Sequence, residues 1–110
     1  MIYHITHRAD WERAAQLRLY MADTLASQGF IHCSTAEQVI RTANNFYLGQ
    51  PHLILLCIEE SLVKAPIQYE NLEGGAEQFP HIYGALNLDA VLKAVDLPPG
   101  IDGKFQMPVI

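Results

Sequence analysis

Apolar residues in this chain fall in short clusters separated by polar turns, and the longest unbroken run, residues 53–58, spans only six positions. Residues 2–6 alternate weakly and carry Ile, Tyr and Thr, which predicts a strand. Asp10 is placed as the N-cap of a short helix over residues 11–17, with Trp11, Ala14 and Ala15 on one face. Residues 17–25 fit neither template. Residues 30–33 predict a short strand entered through Gly29. Ser34 and Glu37 form a Ser-x-x-Glu capping box, and behind it Val39, Ile40, Ala43, Phe46 and Tyr47 recur at helical spacing. Gly49 is placed to end that helix, and Pro51 prevents its resumption.

Residues 53–59 predict a strand covered on both faces, because no side chain of the run has reason to meet water. Residues 67–70 predict another strand. Residues 71–78, with Gly74-Gly75, read as a mobile surface loop. Residues 80–84 are extended. Asn87 is placed to cap a short helix, with Leu86 and Val91 as its hydrophobic staple. Residues 94–97 predict a strand, residues 98–100 a turn, and residues 104–107 a last edge strand, where Pro108 is tolerated. Short strands mixed with two to three helices, without regular βαβ alternation, predict an α+β fold. The 110 residues form a single domain, 1–110, and the 50% hydrophobic content suffices for one core.

Charge narrows the partners. The net charge is -5, and the seven Lys and Arg are scattered from Arg8 to Lys104. A grip on nucleic acid needs clustered cations, so none is expected. A small anion held by one Arg or a helix N-terminus stays open. Cys33 and Cys57 are too few for a disulfide scaffold and lie in apolar runs, which suits free thiols in a reducing compartment. The N-terminus lacks a signal-peptide pattern, and no apolar run could span a bilayer. A cytoplasmic, non-membrane monomer is expected.

Three segments carry the candidate chemistry. Gly29-Phe30-Ile31-His32-Cys33-Ser34-Thr35 and Phe79-Pro80-His81-Ile82-Tyr83-Gly84 place titratable groups in apolar stretches bounded by Gly or Pro. Tyr3-His4-Ile5-Thr6 has the same character. A buried polar group without a partner costs roughly 1 to 3 kcal/mol, so such insertions call for partners or chemistry. The first-turn N–H groups after His32, with the hydroxyls of Ser34 and Thr35, suit recognition of an anion or amide. His81 and Tyr83 share a face of an extended segment and suit acid–base work or stacking on a planar ligand. The competing reading makes Ser34 a simple cap and the histidines satisfied core residues. His7 points away from His4 and Thr6 into solvent, and His52 is exposed at a strand entrance. His4, His32, His81, Cys33 and Glu70 could supply metal ligands, but no pair has a recognisable ligand spacing, so no metal is expected. Cys57 is core. Cys33 would be activated by the following helix only if exposed.

With Gln38-Val39, Asn45-Phe46-Tyr47 and Tyr69-Glu70, the two histidine motifs resemble an uncharacterised bacterial family, domain of unknown function 952, from residue 3 to about residue 95. That family is similar to the ADP-ribosyltransferase superfamily, which includes RNA 2′-phosphotransferase. The resemblance implies a small split, twisted β-sheet, with NAD or a related nucleotide as candidate substrate. It implies that His4 and Thr6 contact the nicotinamide-side ribose or amide, and that His32, Ser34 and Tyr47 line the same cleft. The chain departs from the pattern in two ways. No Glu aligns with the late-strand catalytic Glu of many such transferases, and the phosphate-gripping basic residues are missing; Arg8, Arg41 and Lys64 lie outside the motifs. The working assignment is a transferase in which His32 and His81 polarise or protonate the ligand and Glu70 stabilises positive charge on a ribose. His4, Thr6, Ser34, Thr35, Tyr47 and Tyr83 then bind the ligand, with Tyr83 stacking on a ring. The alternatives are a binding module without turnover and a protein-interaction module with structural histidines.

Overall fold

The computed structural model describes residues 1–72 and 74–110. Their elements run β1 (Ile2–His7), α1 (Arg8–Leu17), β2 (Leu19–Tyr20), α2 (Asp23–Gln28), β3 (Ile31–His32), α3 (Val39–Phe46), β4 (Leu53–Ile58), β5 (Ile67–Glu70), β6 (Phe79–Ile82), β7 (Leu86–Asn87) and β8 (Val91–Asp96). Short 3-10 turns cover Glu60–Leu62 and Leu88–Ala90. The fold is α+β, with small antiparallel sheets in the orders β1-β4-β8, β3-β6-β5 and β2-β7.

The wholly apolar β4 takes the centre of its sheet, and all six of its residues are buried. Its side chains alternate between two cores, as the strand's period of two requires. Ile54, Leu56 and Ile58 pack with Ile2, Ile31, Ile82 and Leu86. Leu53 and Leu55 pack with Ile5, Val39, Ala43, Leu97 and Phe105 under α3. The two three-stranded sheets meet at one antiparallel bridge, Tyr3 with Ser34, whose N–H groups each donate to the other's carbonyl at 2.8 Å. Beyond that seam they diverge.

The seam explains a correction. Ser34 is held in extended pairing with Tyr3, so no helix can begin there, and α3 starts at Val39 with no side-chain cap from Ser34. One half of such a box forms one residue later. Thr35 N–H donates to Gln38 Oε1 at 3.0 Å, and the Thr35 carbonyl accepts from the N–H groups of Gln38 and Val39. Gln38 Nε2–H then donates to the Gln78 carbonyl at 2.7 Å, tying the helix entrance to the segment before β6.

Other boundaries moved for similar reasons. Arg8 N–H donates to the His52 carbonyl at 2.8 Å, so α1 begins directly after β1, and Asp10 sits in its first turn instead of capping it. Residues 17–25 resolve into β2 and the start of α2, which ends at Gly29 with φ 85. Asn87 makes no cap. Its amide is committed to the Lys64 N–H and the Leu62 carbonyl, both at 2.9 Å, and a 3-10 turn follows in place of the predicted helix. Residues 104–107 form no strand. Phe105 is held instead by Asn44, whose Oδ1 accepts the Phe105 N–H at 2.7 Å. Gly84 must lack a side chain, because a Cβ there would stand 2.9 Å from that of Ala65. In the predicted loop 71–78, residues 74–78 are exposed and carry no helix or strand, and Glu73 lies outside the described residues. No helix among the described residues is long and apolar enough to cross a membrane.

The shifted box predicts an order of stabilities. Gln38→Ala leaves the Thr35 N–H and the Gln78 carbonyl without their partner and should cost about 1–3 kcal/mol in denaturant melts. Glu37→Ala removes an exposed side chain and should stay within about 0.5 kcal/mol. The reverse order would restore the Ser34–Glu37 box.

Candidate functional site

Where the sheets diverge, a cavity of about 700 Å³ opens between β1 and the β3–β6 pair. That is within the usual size of a small-molecule site. The register of the second sheet furnishes one wall. His32 pairs directly with His81, and Glu70 pairs with Phe79. Directly and diagonally opposed residues share a face of an antiparallel pair, so His32, His81 and Glu70 converge. The two imidazoles meet edge to face with centroids 4.9 Å apart. Phe30, two residues before His32, stacks on His81 at 4.2 Å.

His81 Nδ1–H donates to Glu70 Oε1 at 2.9 Å, and the Tyr83 hydroxyl donates to the same oxygen. These two bonds, Tyr83 first, hold the Glu70 carboxyl below its ordinary pKa. Glu70 is therefore ionised at neutral pH, and the same contact raises the Tyr83 phenol. Since Nδ1 faces a carboxylate, the remaining ring nitrogen of His81 is Nε2, which has no hydrogen-bond partner among the described residues. A carboxylate that fixes a tautomer in this way is the usual orienter of a general base. His32 Nε2–H donates to Gln28 Oε1 at 2.8 Å.

The β1 side is built differently. His4 is 8% exposed. Its Nδ1 lies 2.5 Å from the His32 carbonyl, and its Nε2 lies 2.8 Å from the Tyr20 hydroxyl. A carbonyl only accepts, so Nδ1 carries the proton and Nε2 accepts from Tyr20. Tyr20 in turn lies 2.9 Å from Thr6 Oγ1. Burial lowers the His4 pKa to about 4, so the ring is neutral, and burial raises that of Tyr20. Thr6, Tyr20 and His4 thus form a neutral relay that ends on the backbone of His32.

Of the residues singled out in the sequence, His4, Thr6, His32, Ser34, Tyr47, Glu70 and His81 line this one cavity. Ser34 Oγ reaches Thr42 Oγ1 at 3.5 Å. Thr35 lies at the entrance of α3, outside the cavity walls, and Tyr83 reaches the site through Glu70 and the ring of Phe30. Both nitrogens of His4 are taken up inside the protein, so it supports the wall more than it offers a contact. Cys33 lines the cavity, but burial pushes its thiol well up, which leaves it protonated and unreactive. Among the described residues no group of three His, Cys, Asp or Glu side chains is placed to hold a metal ion. The sequence reading missed Tyr20, Phe30 and Gln28. Phe30 was legible as the residue two before His32. Tyr20 lay in a segment without a recognisable period.

The model of a family described as "Protein of unknown function (DUF952)" matches residues 5–94. The X-ray crystal structure of protein CC0527 from Caulobacter crescentus is 34% identical, with a TM-score of 0.86 over 96% of this chain and 92% of that one. The solution NMR structure of CC0527 gives 0.84, at the same identity, over 96% and 90%. None of the curated proteins matches the chain.

The neutral relay predicts a pH dependence. Between pH 6.5 and about 4 the unfolded chain protonates His4 while the folded chain resists it, so stability falls as pH falls through that window. By pH 5 the loss is about 2 kcal/mol relative to pH 7. Glu70, whose carboxyl is depressed in the fold, adds to the loss only from its ordinary pKa downward. Urea melts at pH 7 and pH 5 check this, and His4→Gln should flatten the slope. An equal slope in that variant would place the titration elsewhere.

Proposed function

The chain belongs to the DUF952 family, and we propose that it is a transferase, similar to ADP-ribosyltransferases, that acts on NAD or a related N-ribosyl nucleotide in this cavity. The observation that carries the reading is the convergence of His32, His81 and an ionised Glu70 on one wall of a 700 Å³ site. Cleavage of an N-ribosyl bond sends the bonding pair to the ring nitrogen and leaves positive charge on the sugar. Glu70 supplies a fixed negative charge for that developing cation, which is how a preorganised site lowers a barrier. His81 Nε2, oriented by Glu70, takes the proton of the hydroxyl that forms the new bond to C1′. His32, beside it, polarises the departing ring or its amide. Tyr47 and Ser34 line the same cavity and contact the ligand. The partner is a small molecule and no nucleic acid.

A second reading, a ligand-binding module without turnover, is favoured by His4. Its ring is committed at both nitrogens to holding the site together.

Thermal-shift screening tests ligand binding, which both readings require. A ligand present at 100 times its Kd and specific for the folded state adds about 2.7 kcal/mol. NAD, ADP-ribose or nicotinamide should raise Tm, and His32→Ala, confirmed folded by its own melt, should abolish the rise. No shift with any of the three at millimolar concentration removes the nucleotide reading. Release of nicotinamide from NAD, lost in Glu70→Gln, separates the transferase from the binding module.

A further inference from the structure

The cavity is asymmetric in charge. Asp10, Asp23 and Glu70 line it, and none of the seven Lys and Arg residues does. The guanidinium of Arg41 is committed to Glu77. The α3 entrance, residues 35–39, lies outside the cavity walls and brings no N–H group to them. The Thr35 N–H is taken by Gln38 Oε1, and the N–H groups of Gln38 and Val39 by the Thr35 carbonyl. A phosphate drawn into this space would lose water and find no Lys or Arg in return, which is costly for an ion. The remaining wall is rich in aromatic faces, among them Tyr3, Tyr47, Phe79 and Phe30. Carboxylates and aromatic rings lining one cavity attract a flat, positively charged group through both charge and quadrupole.

Resting on the transferase reading, we infer that the cavity recognises the cationic N-ribosyl ring alone, as in a nicotinamide riboside, and leaves any phosphate outside in solvent. The substrate class is therefore a positively charged heteroaromatic nucleoside, with or without phosphate beyond the cavity. Glu70 is the residue that reads the charge. It lies on the wall and is held ionised by His81 and Tyr83, so its charge is present before the ligand arrives.

Calorimetric titration of the wild-type protein with three probes tests this. Nicotinamide riboside is the cation, its dihydro form is nearly the same shape without the charge, and NAD adds phosphates. The riboside should bind at least tenfold more tightly than the dihydro form and within threefold of NAD. Glu70→Gln, checked for folding by its melt, should erase most of the preference for the charged ring. Tenfold tighter binding of NAD than of the riboside would overturn the inference while leaving the nucleotide reading intact. Equal affinity for the charged and uncharged rings would also overturn it. Failure of all three probes to bind would remove the transferase reading with it. The wild-type comparison decides the matter even if the variant does not fold.

Discussion

The hydrogen bond from His4 Nδ1–H to the His32 carbonyl, beside the Tyr3–Ser34 bridge, is the constraint on which the site depends. Among the described residues, the two three-stranded sheets share no ladder beyond that bridge. His4 reaches from the first sheet to the backbone of the second at the residue whose side chain enters the cavity. Without that bond, the two walls would be joined by the bridge and by apolar packing, which is non-directional and would fix their separation less closely. The strand that carries His4 is paired along its whole length to β4, which is buried on both faces. The His4 bond therefore ties the His32 backbone to the buried centre of the first sheet.

Such a connection is costly to bury and is stabilised by being complete. Neutral His4 has one donor and one acceptor, and both are met. The Tyr20 hydroxyl donates to Nε2 and accepts from Thr6. A protonated His4 would place two donors in the relay and reverse the Tyr20 bond, so the network selects one tautomer and one charge state. The other wall shows opposite electrostatics. Glu70 is kept charged there by two donors, Tyr83 and His81. On the β1 side the relay of His4, Tyr20 and Thr6 is neutral and satisfied. The other side holds the Glu70 carboxylate and His81 Nε2, which has no hydrogen-bond partner among the described residues.

Much of this second side was legible in the sequence, because it obeys a period of two. His81 and Tyr83 share a face, Phe30 and His32 share another, and short apolar flanks mark both as strands. The central strand was legible for the same reason: residues 53–58 contain nothing that could face water. The failures trace to choices that only tertiary pairing decides. Ser34-x-x-Glu37 and Thr35-x-x-Gln38 are adjacent and equally good capping patterns, and the Tyr3 backbone removed the first. Tyr20 sits in a two-residue strand that exists only because β7 pairs with it, so local periodicity could not reveal it. The tail past residue 103 looked like an edge strand, but a single Asn44 amide supplies the backbone bonds that a neighbouring strand would have given.

The same logic separates what the fold is from what the site selects. A structural relative with 34% identity and nearly complete coverage fixes the architecture. It says nothing of the ligand, because fold and chemistry are independent in principle. The wall of the cavity, among the described residues, holds histidines and carboxylates and no Lys or Arg. A helix N-terminus is a ready anion site only while its N–H groups are unclaimed. In this chain the Thr35 N–H is committed to Gln38 Oε1 and the Gln38 and Val39 N–H groups to the Thr35 carbonyl, at an entrance that lies outside the cavity. The carboxylates of Asp10, Asp23 and Glu70 are then the charges that line the cavity, while the entrance of α3 stands outside its walls.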